Sequence, residues 1–137
     1  AILGMARDKA AKSGVDVEFI EANAADMPLP AGSVDCVFSS LFFHHLLPEQ
    51  KVEVLGEIFR VLKDGGEVHI SDWGRPANKL MRGAFYFVQL LDGFATTEDS
   101  VRGRLIDYLG RVGARNHRAC QRFNTMLGTL RLVRAKK

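Results

Sequence analysis

Neither disulfides nor long apolar runs organise this chain. It carries two cysteines in 137 residues, Cys36 and Cys120, and their spacing matches no metal-binding pattern. A multi-bridge disulfide scaffold is thereby excluded, and a reducing, cytoplasmic setting is expected. Cys36 lies inside an apolar stretch and reads as a small buried hydrophobe. The longest apolar run, near residues 84–91, is much too short to cross a bilayer, and no secretory signal opens the sequence. Four histidines, His44, His45, His69 and His117, show no ligand spacing, so no metal site is expected. No nucleophile triad and no pair of carboxylates stands out. What remains, with 47% hydrophobic and 26% charged residues, has the composition of a soluble globular chain of at most one domain.

The net charge of +3 hides an asymmetry. Residues 1–68 hold 6 Lys/Arg against 11 Asp/Glu, and residues 69–137 hold 13 against 5. A basic second half can meet nucleic acid, an anionic surface or an acidic substrate. The competing reading is a solvated face, because the arginines fall at outward helix positions.

Residues 33–73 read as one strand–helix–strand unit. Val34 to Phe38 is a short apolar run with the composition of a buried parallel strand. Pro48 suits a first helical turn, with Glu49 at the positive end of the dipole. Val52, Leu55, Ile58, Phe59 and Leu62 then recur at helical spacing, leaving Lys51, Glu53, Glu57 and Arg60 outside. Gly65 and Gly66 stop that helix, and Val68 to Ser71 begins a second strand. Strands joined through a helix run parallel with a right-handed crossover, so the fold class is α/β. Ligands of such sheets sit beyond the carboxyl ends of the strands. Here those ends are the segments 39–45 and 72–73.

These residues also carry a family resemblance. SVDCVFSSLFFHHL, followed by a helix ending in EIFRVLKDGGEVHISDW, resembles the second half of a class I S-adenosylmethionine-dependent methyltransferase of the type 11, ubiquinone-biosynthesis-like group. The upstream ANAADMPLP resembles that group's segment after its third strand, and FNTMLGTLRLVRAKK resembles its closing hairpin. The resemblance implies a Rossmann-like sheet, mostly parallel with a C-terminal antiparallel hairpin, in the strand order 3-2-1-4-5-7-6. It implies that this chain is N-terminally truncated. The glycine-rich turn and ribose-holding acid of the family precede the opening helix, whose apolar stripe of Ile2, Leu3, Ala6 and Ala10 ends at Ser13-Gly14 with no capping residue before it. Residues 1–137 then form a single partial domain, with 73–113 as a helical substrate or lid region. Unpaired sheet edges would favour abnormal pairing or a homodimer.

The cofactor implied is S-adenosylmethionine. By resemblance Asn23 would hydrogen-bond the adenine amino group, the Ala24 amide would meet a ring nitrogen, and Asp26 would be a second polar partner. The alternative for Asn23 and Asp26 is loop chemistry, since both side chains bond nearby backbone. Ser40 would approach the methyl donor, with Leu41 packing beside it; a strand-end hydroxyl bonded to backbone is the plainer reading of Ser40. His44 or His45 is a candidate base, set against a ring packed under the loop and bonded to a carbonyl. The methyl donor is already activated, so the chain must mainly position an acceptor. Ser39-Ser40-Leu41-Phe42 replaces the acidic/amide–Pro–Pro–aromatic pattern of base-amino methylating enzymes, which implies an apolar small-molecule acceptor. A non-catalytic remnant that uses its basic half on nucleic acid or an anionic surface is the second class.

Elsewhere, Val15, Val17 and Phe19 alternate with polar residues, as in a strand at or near a sheet edge. Asn78 is placed to cap a helix with Leu80, Ala84, Phe87 and Leu91 on one face, and Met81, Phe85, Tyr86 and Val88 make its other faces apolar too. A helix so apolar all round is buried or covers a pocket. Thr96 and Asp99 resemble a capping box before Val101, Leu105, Tyr108, Leu109 and Val112. The tail reads as a hairpin, 117–123 and 128–133, around residues 124–127.

Overall fold

The computed structural model describes residues 2–137. Its framework is a four-stranded mixed sheet: β1 (Val34–Ser40), β2 (Leu62–Trp73), β3 (Arg115–Thr125) and β4 (Gly128–Lys136), in the order β1-β2-β4-β3. β1 and β2 are parallel, with Cys36 beside Glu67 and Ser40 beside Ser71. β4 runs antiparallel to both β2 and β3. This order is the 4-5-7-6 portion of the expected Rossmann-like sheet, hairpin included.

The crossover from β1 to β2 is helix α2 (Pro48–Val61). Pro48 opens it because a first-turn N–H has no intrahelical acceptor to lose. Leu55, Ile58 and Phe59 form its buried stripe, and they pack with Val68 and Ile70 of β2 and Val133 and Ala135 of β4. Leu55, Leu62 and Ile70 are wholly buried, each contributing about 1.5–3 kcal/mol over an exposed side chain. β2 starts sooner than expected, at Leu62 directly after the helix. Gly65 and Gly66 lie within the strand rather than stopping the helix. There, Gly65 takes φ +79, and a Cβ on Gly66 would meet Lys63 O at 2.9 Å and Asp35 O at 3.0 Å. Only glycine fits that close approach of two backbones.

Helix α1 (Ile2–Ser13) is present where the apolar stripe placed it. Its expected uncapped start falls at Ala1, outside the described residues. The strand expected over 15–20 is not formed: the segment has no regular structure and no ladder partner, with Val15, Val17 and Ile20 exposed. Strand pattern alone cannot hold a strand whose amides meet no neighbouring ladder. β1 likewise pairs only with β2. Its outer neighbour is lacking among the described residues, so Phe38 is 77% exposed and Cys36 half-buried where a fully buried strand was expected.

The segment 73–113 folds as three helices, α3 (Lys79–Asp92), α4 (Phe94–Arg102) and α5 (Leu105–Arg111). Asn78 caps α3, its Oδ1 accepting the Met81 N–H at 2.8 Å. The buried residues of α3 are Phe85, Val88 and Gln89, whereas Leu80, Phe87 and Leu91 face solvent. The expected inner face is thus turned outward, because Phe85 is the residue that reaches Trp73 (ring centroids 5.6 Å). No capping box forms at Thr96 and Asp99, since the helix already begins at Phe94. Gly103, left-handed at φ 73, then separates α4 from α5 where one continuous helix was expected.

Candidate functional site

The carboxyl ends of β1 and β2 are tied together by one carboxylate. β1 ends with Leu41 N–H donating to Ser71 O at 2.8 Å. Leu41 then takes a left-handed φ of 51, a conformation that costs a non-glycine residue about 1–3 kcal/mol and persists only where its surroundings enforce it. They do so through Asp72, 3% exposed. Its Oδ2 accepts N–H groups from Phe42 (3.0 Å), Phe43 (2.6 Å) and His44 (3.3 Å). Its Oδ1 accepts the Trp73 N–H at 2.7 Å and lies 2.6 Å from His44 Nδ1. Three successive amides converging on one anion form the start of the short 3-10 turn Phe43–His45. These charge-assisted bonds are the strong kind.

His44 is therefore buried, and its ring is bonded to a carboxylate rather than to a carbonyl. Its Nε2 faces Asp92 Oδ2 across 3.7 Å. The exposed His45 ring lies against it, with centroids 3.9 Å apart. The two rings are gathered together with Asp92, although the sequence spacing showed no such cluster; the third member comes from the far end of α3.

Behind this loop lies a second polar cluster. Lys51, expected on the outer face of α2, is 3% exposed. Its Nζ donates to Thr96 O at 2.8 Å and to Asp99 Oδ2 at 3.4 Å, and Tyr108 Oη donates to the same Asp99 oxygen at 2.7 Å. Burial pushes the Lys51 ammonium below its ordinary range, with Asp99 opposing the shift. Burial and the Asp99 charge push the Tyr108 phenol up. The signal for Lys51 was present: it stands four residues before Leu55 and seven before Ile58, on their own stripe. Phe43, Lys51, Asp72, Trp73, Asp99 and Tyr108 line a crevice with only about 10 Å³ of free space, less than a substrate needs.

Asn23 and Asp26 form a tight turn. Asn23 Oδ1 accepts the Ala25 N–H at 3.0 Å, and Asn23 O accepts the Asp26 N–H at 3.0 Å. The turn is held on α2 by Met27, whose N–H donates to Glu57 Oε1 at 2.8 Å while its carbonyl accepts from Arg60. The Arg60 guanidinium and the Met27 amide hold the Glu57 carboxyl down at about 2. Ala24 packs against the hydrophobic core. Ser40 is exposed, and Leu41 is 44% exposed at the strand end. A surface hollow of about 430 Å³ lies elsewhere, over Asn116, His117, Arg118, Arg134 and Lys136. It sits beside the amino end of β2, so strand direction argues against it as the site.

A parallel strand pair joined through a helix, loops gathered at its carboxyl ends and an antiparallel hairpin beyond define a Rossmann-like α/β fold. Comparison with known proteins narrows this. Residues 1–70 match the methyltransferase-domain family, type 11, and the chain belongs to that family. It is 34% identical over 107 residues to the ubiquinone/menaquinone biosynthesis C-methyltransferase UbiE of Pseudomonas savastanoi, covering 73% of this chain and 41% of that protein. It is 36% identical over 87 residues to a demethylmenaquinone methyltransferase of Thermus thermophilus, covering 64% and 37%. A solved SAM-dependent methyltransferase of Aquifex aeolicus shares the fold at TM-score 0.64 and 23% identity, over 96% of this chain and 61% of that one. The chain thus spans about two fifths of the length of the curated relatives it matches.

Proposed function

We propose that this chain supplies the acceptor side and one flank of the cofactor site for methyl transfer from S-adenosylmethionine to a small apolar molecule, of the quinone-precursor kind that its named relatives methylate. The observation that carries the reading is the loop after β1. Exposed Ser40 and left-handed Leu41 stand at the carboxyl end of a parallel strand, fixed in place by Asp72. Two of the residues present have the chemistry that one flank of such a cofactor needs. Asn23 keeps an acceptor lone pair beyond the one used by Ala25, and Ser40 offers an unburied hydroxyl. The sulfonium, when bound, supplies the activated methyl group. The chain's own part is to orient and to exclude water: Asp72 fixes the loop that would flank the methyl carbon, and α3 to α5 form the lid region over the acceptor. The closed crevice behind Phe43 and Trp73 is walled by α4 and α5, which must shift for an acceptor to enter.

Calorimetric titration of this chain with S-adenosylmethionine tests the reading. Micromolar binding is expected, lost in Ser40→Phe, whose bulky ring at an exposed strand end leaves the fold intact. Absence of heat with the parent chain, beside salt-sensitive binding of RNA or DNA by the basic half, would instead favour an interaction module.

A further inference from the structure

We propose that His44, His45 and Asp92 form a binding site for a divalent first-row transition ion, with zinc as the reference metal. One ligand atom from each of the three lies within 4.8 Å of the others. Two imidazoles and a carboxylate are the donor set that such ions prefer, and three protein ligands leave a fourth position open for water or an oxygen of a small molecule. Ligand atoms about 2.0–2.1 Å from a tetrahedral ion stand about 3.3–3.4 Å apart. Closing the 3.7 Å gap between His44 Nε2 and Asp92 Oδ2 takes only a few tenths of an ångström.

Two further observations point to a ligand. His44 is 4% exposed, and its Nδ1 is engaged by Asp72 at 2.6 Å. With the proton on Nδ1, the Nε2 lone pair is directed toward Asp92 at a distance too long for a hydrogen bond. A carboxylate behind a ligating histidine is the usual outer partner that fixes its tautomer and ring plane. The three ligands also differ in access. His44 is buried, Asp92 is half-buried and His45 is exposed, so an ion can enter from the His45 side. Because Asp92 closes α3 and the histidines belong to the turn after β1, a bound ion would pin the helical region to the strand ends. The inference stands apart from the methyl-donor reading and needs no cofactor.

The test uses chelator-stripped protein titrated with zinc by calorimetry, alongside His45→Ala, Asp92→Asn and His117→Ala. One ion per chain is expected, with affinity falling about tenfold or more in each of the first two variants and unchanged in His117→Ala. Cobalt should give tetrahedral visible absorption in the parent chain and lose it in Asp92→Asn. Both altered side chains reach solvent, and circular dichroism checks that the variants fold. Binding that is absent, or equal in the parent, His45→Ala and Asp92→Asn, overturns the proposal.

Discussion

Asp72→Asn is the most informative single change, because it keeps the shape of the side chain and removes its charge. In the parent, four backbone amides and one imidazole converge on the carboxylate. An asparagine with its oxygen toward Phe42–His44 keeps three acceptor contacts, but as neutral bonds about half as strong. Its NH2 then faces the Trp73 N–H, which loses its acceptor. An unpaired amide in so buried a place costs about 1–3 kcal/mol, and the weakened bonds add about 1–2 more. The total is about 2–5 kcal/mol. A chain of this length has about 7–20 kcal/mol of stability in all, so the variant should fold and lose about 10 °C of Tm. The only tryptophan, Trp73, adjoins the change and reports urea unfolding directly. Hydrogen exchange at Phe42, Phe43 and His44 should accelerate in step. A variant within 1 kcal/mol of the parent (about a fivefold change in the folding equilibrium), with unchanged protection of those amides, would refute the view that Asp72 holds the loop.

Lys51→Met should cost about 3–5 kcal/mol, since it strips the buried Asp99 of a counter-charge. Tyr108→Phe removes one hydrogen bond to the same anion and should cost about 1.5–3 kcal/mol; denaturant unfolding of both variants and of the pair should show strong non-additivity. Glu67 is held at about 2 by hydrogen bonds from Arg134 first, then Lys136, with His69 adding a little. Its folded value lies below the ordinary 4.5, so its contribution is full above that value and is lost as pH falls from about 5 toward about 2. Glu67→Gln should flatten the fall of Tm across that acid window, and an unchanged slope would count against the ion cluster. Gly66→Ala should destabilise, because its Cβ would collide with backbone oxygens. Gly83→Ala, in α3 with open space around it, should stabilise by about 0.5–1 kcal/mol; thermal melts of the two should shift in opposite directions.

The crossover unit and the hairpin were legible because their patterns are local: an apolar stripe at helical spacing, a proline at its start, two β-rich runs around a short turn. The same local reading failed at residues 15–20, where alternation fits a strand but nothing pairs with it. It failed on α3 because a helix apolar on several faces does not declare which one meets Trp73. Lys51 shared the core stripe of α2, yet as a lysine it was assigned to solvent. Its burial became intelligible only with Asp99, Tyr108 and the Thr96 carbonyl, all from distant helices. Asp72 was visible as a charged residue ending an apolar strand, but its role depends on amides that come from another strand's loop. The grouping of His44 and His45 with Asp92 was hidden for the same reason: spacing rules see neighbours in sequence, and this trio is assembled by the packing of α3.

The position of β4 between β2 and β3 has a kinetic consequence. Among the described residues, 128–136 are the only link between the early and late halves of the sheet, and Val133 and Ala135 fill its centre. During synthesis the first strand pair and its helix can form early, but their inner edge stays bare until this late segment has emerged. Until then an unpaired β2 is open to wrong partners. Chains cut short before Gly128 should therefore collect as aggregates rather than as smaller folded units.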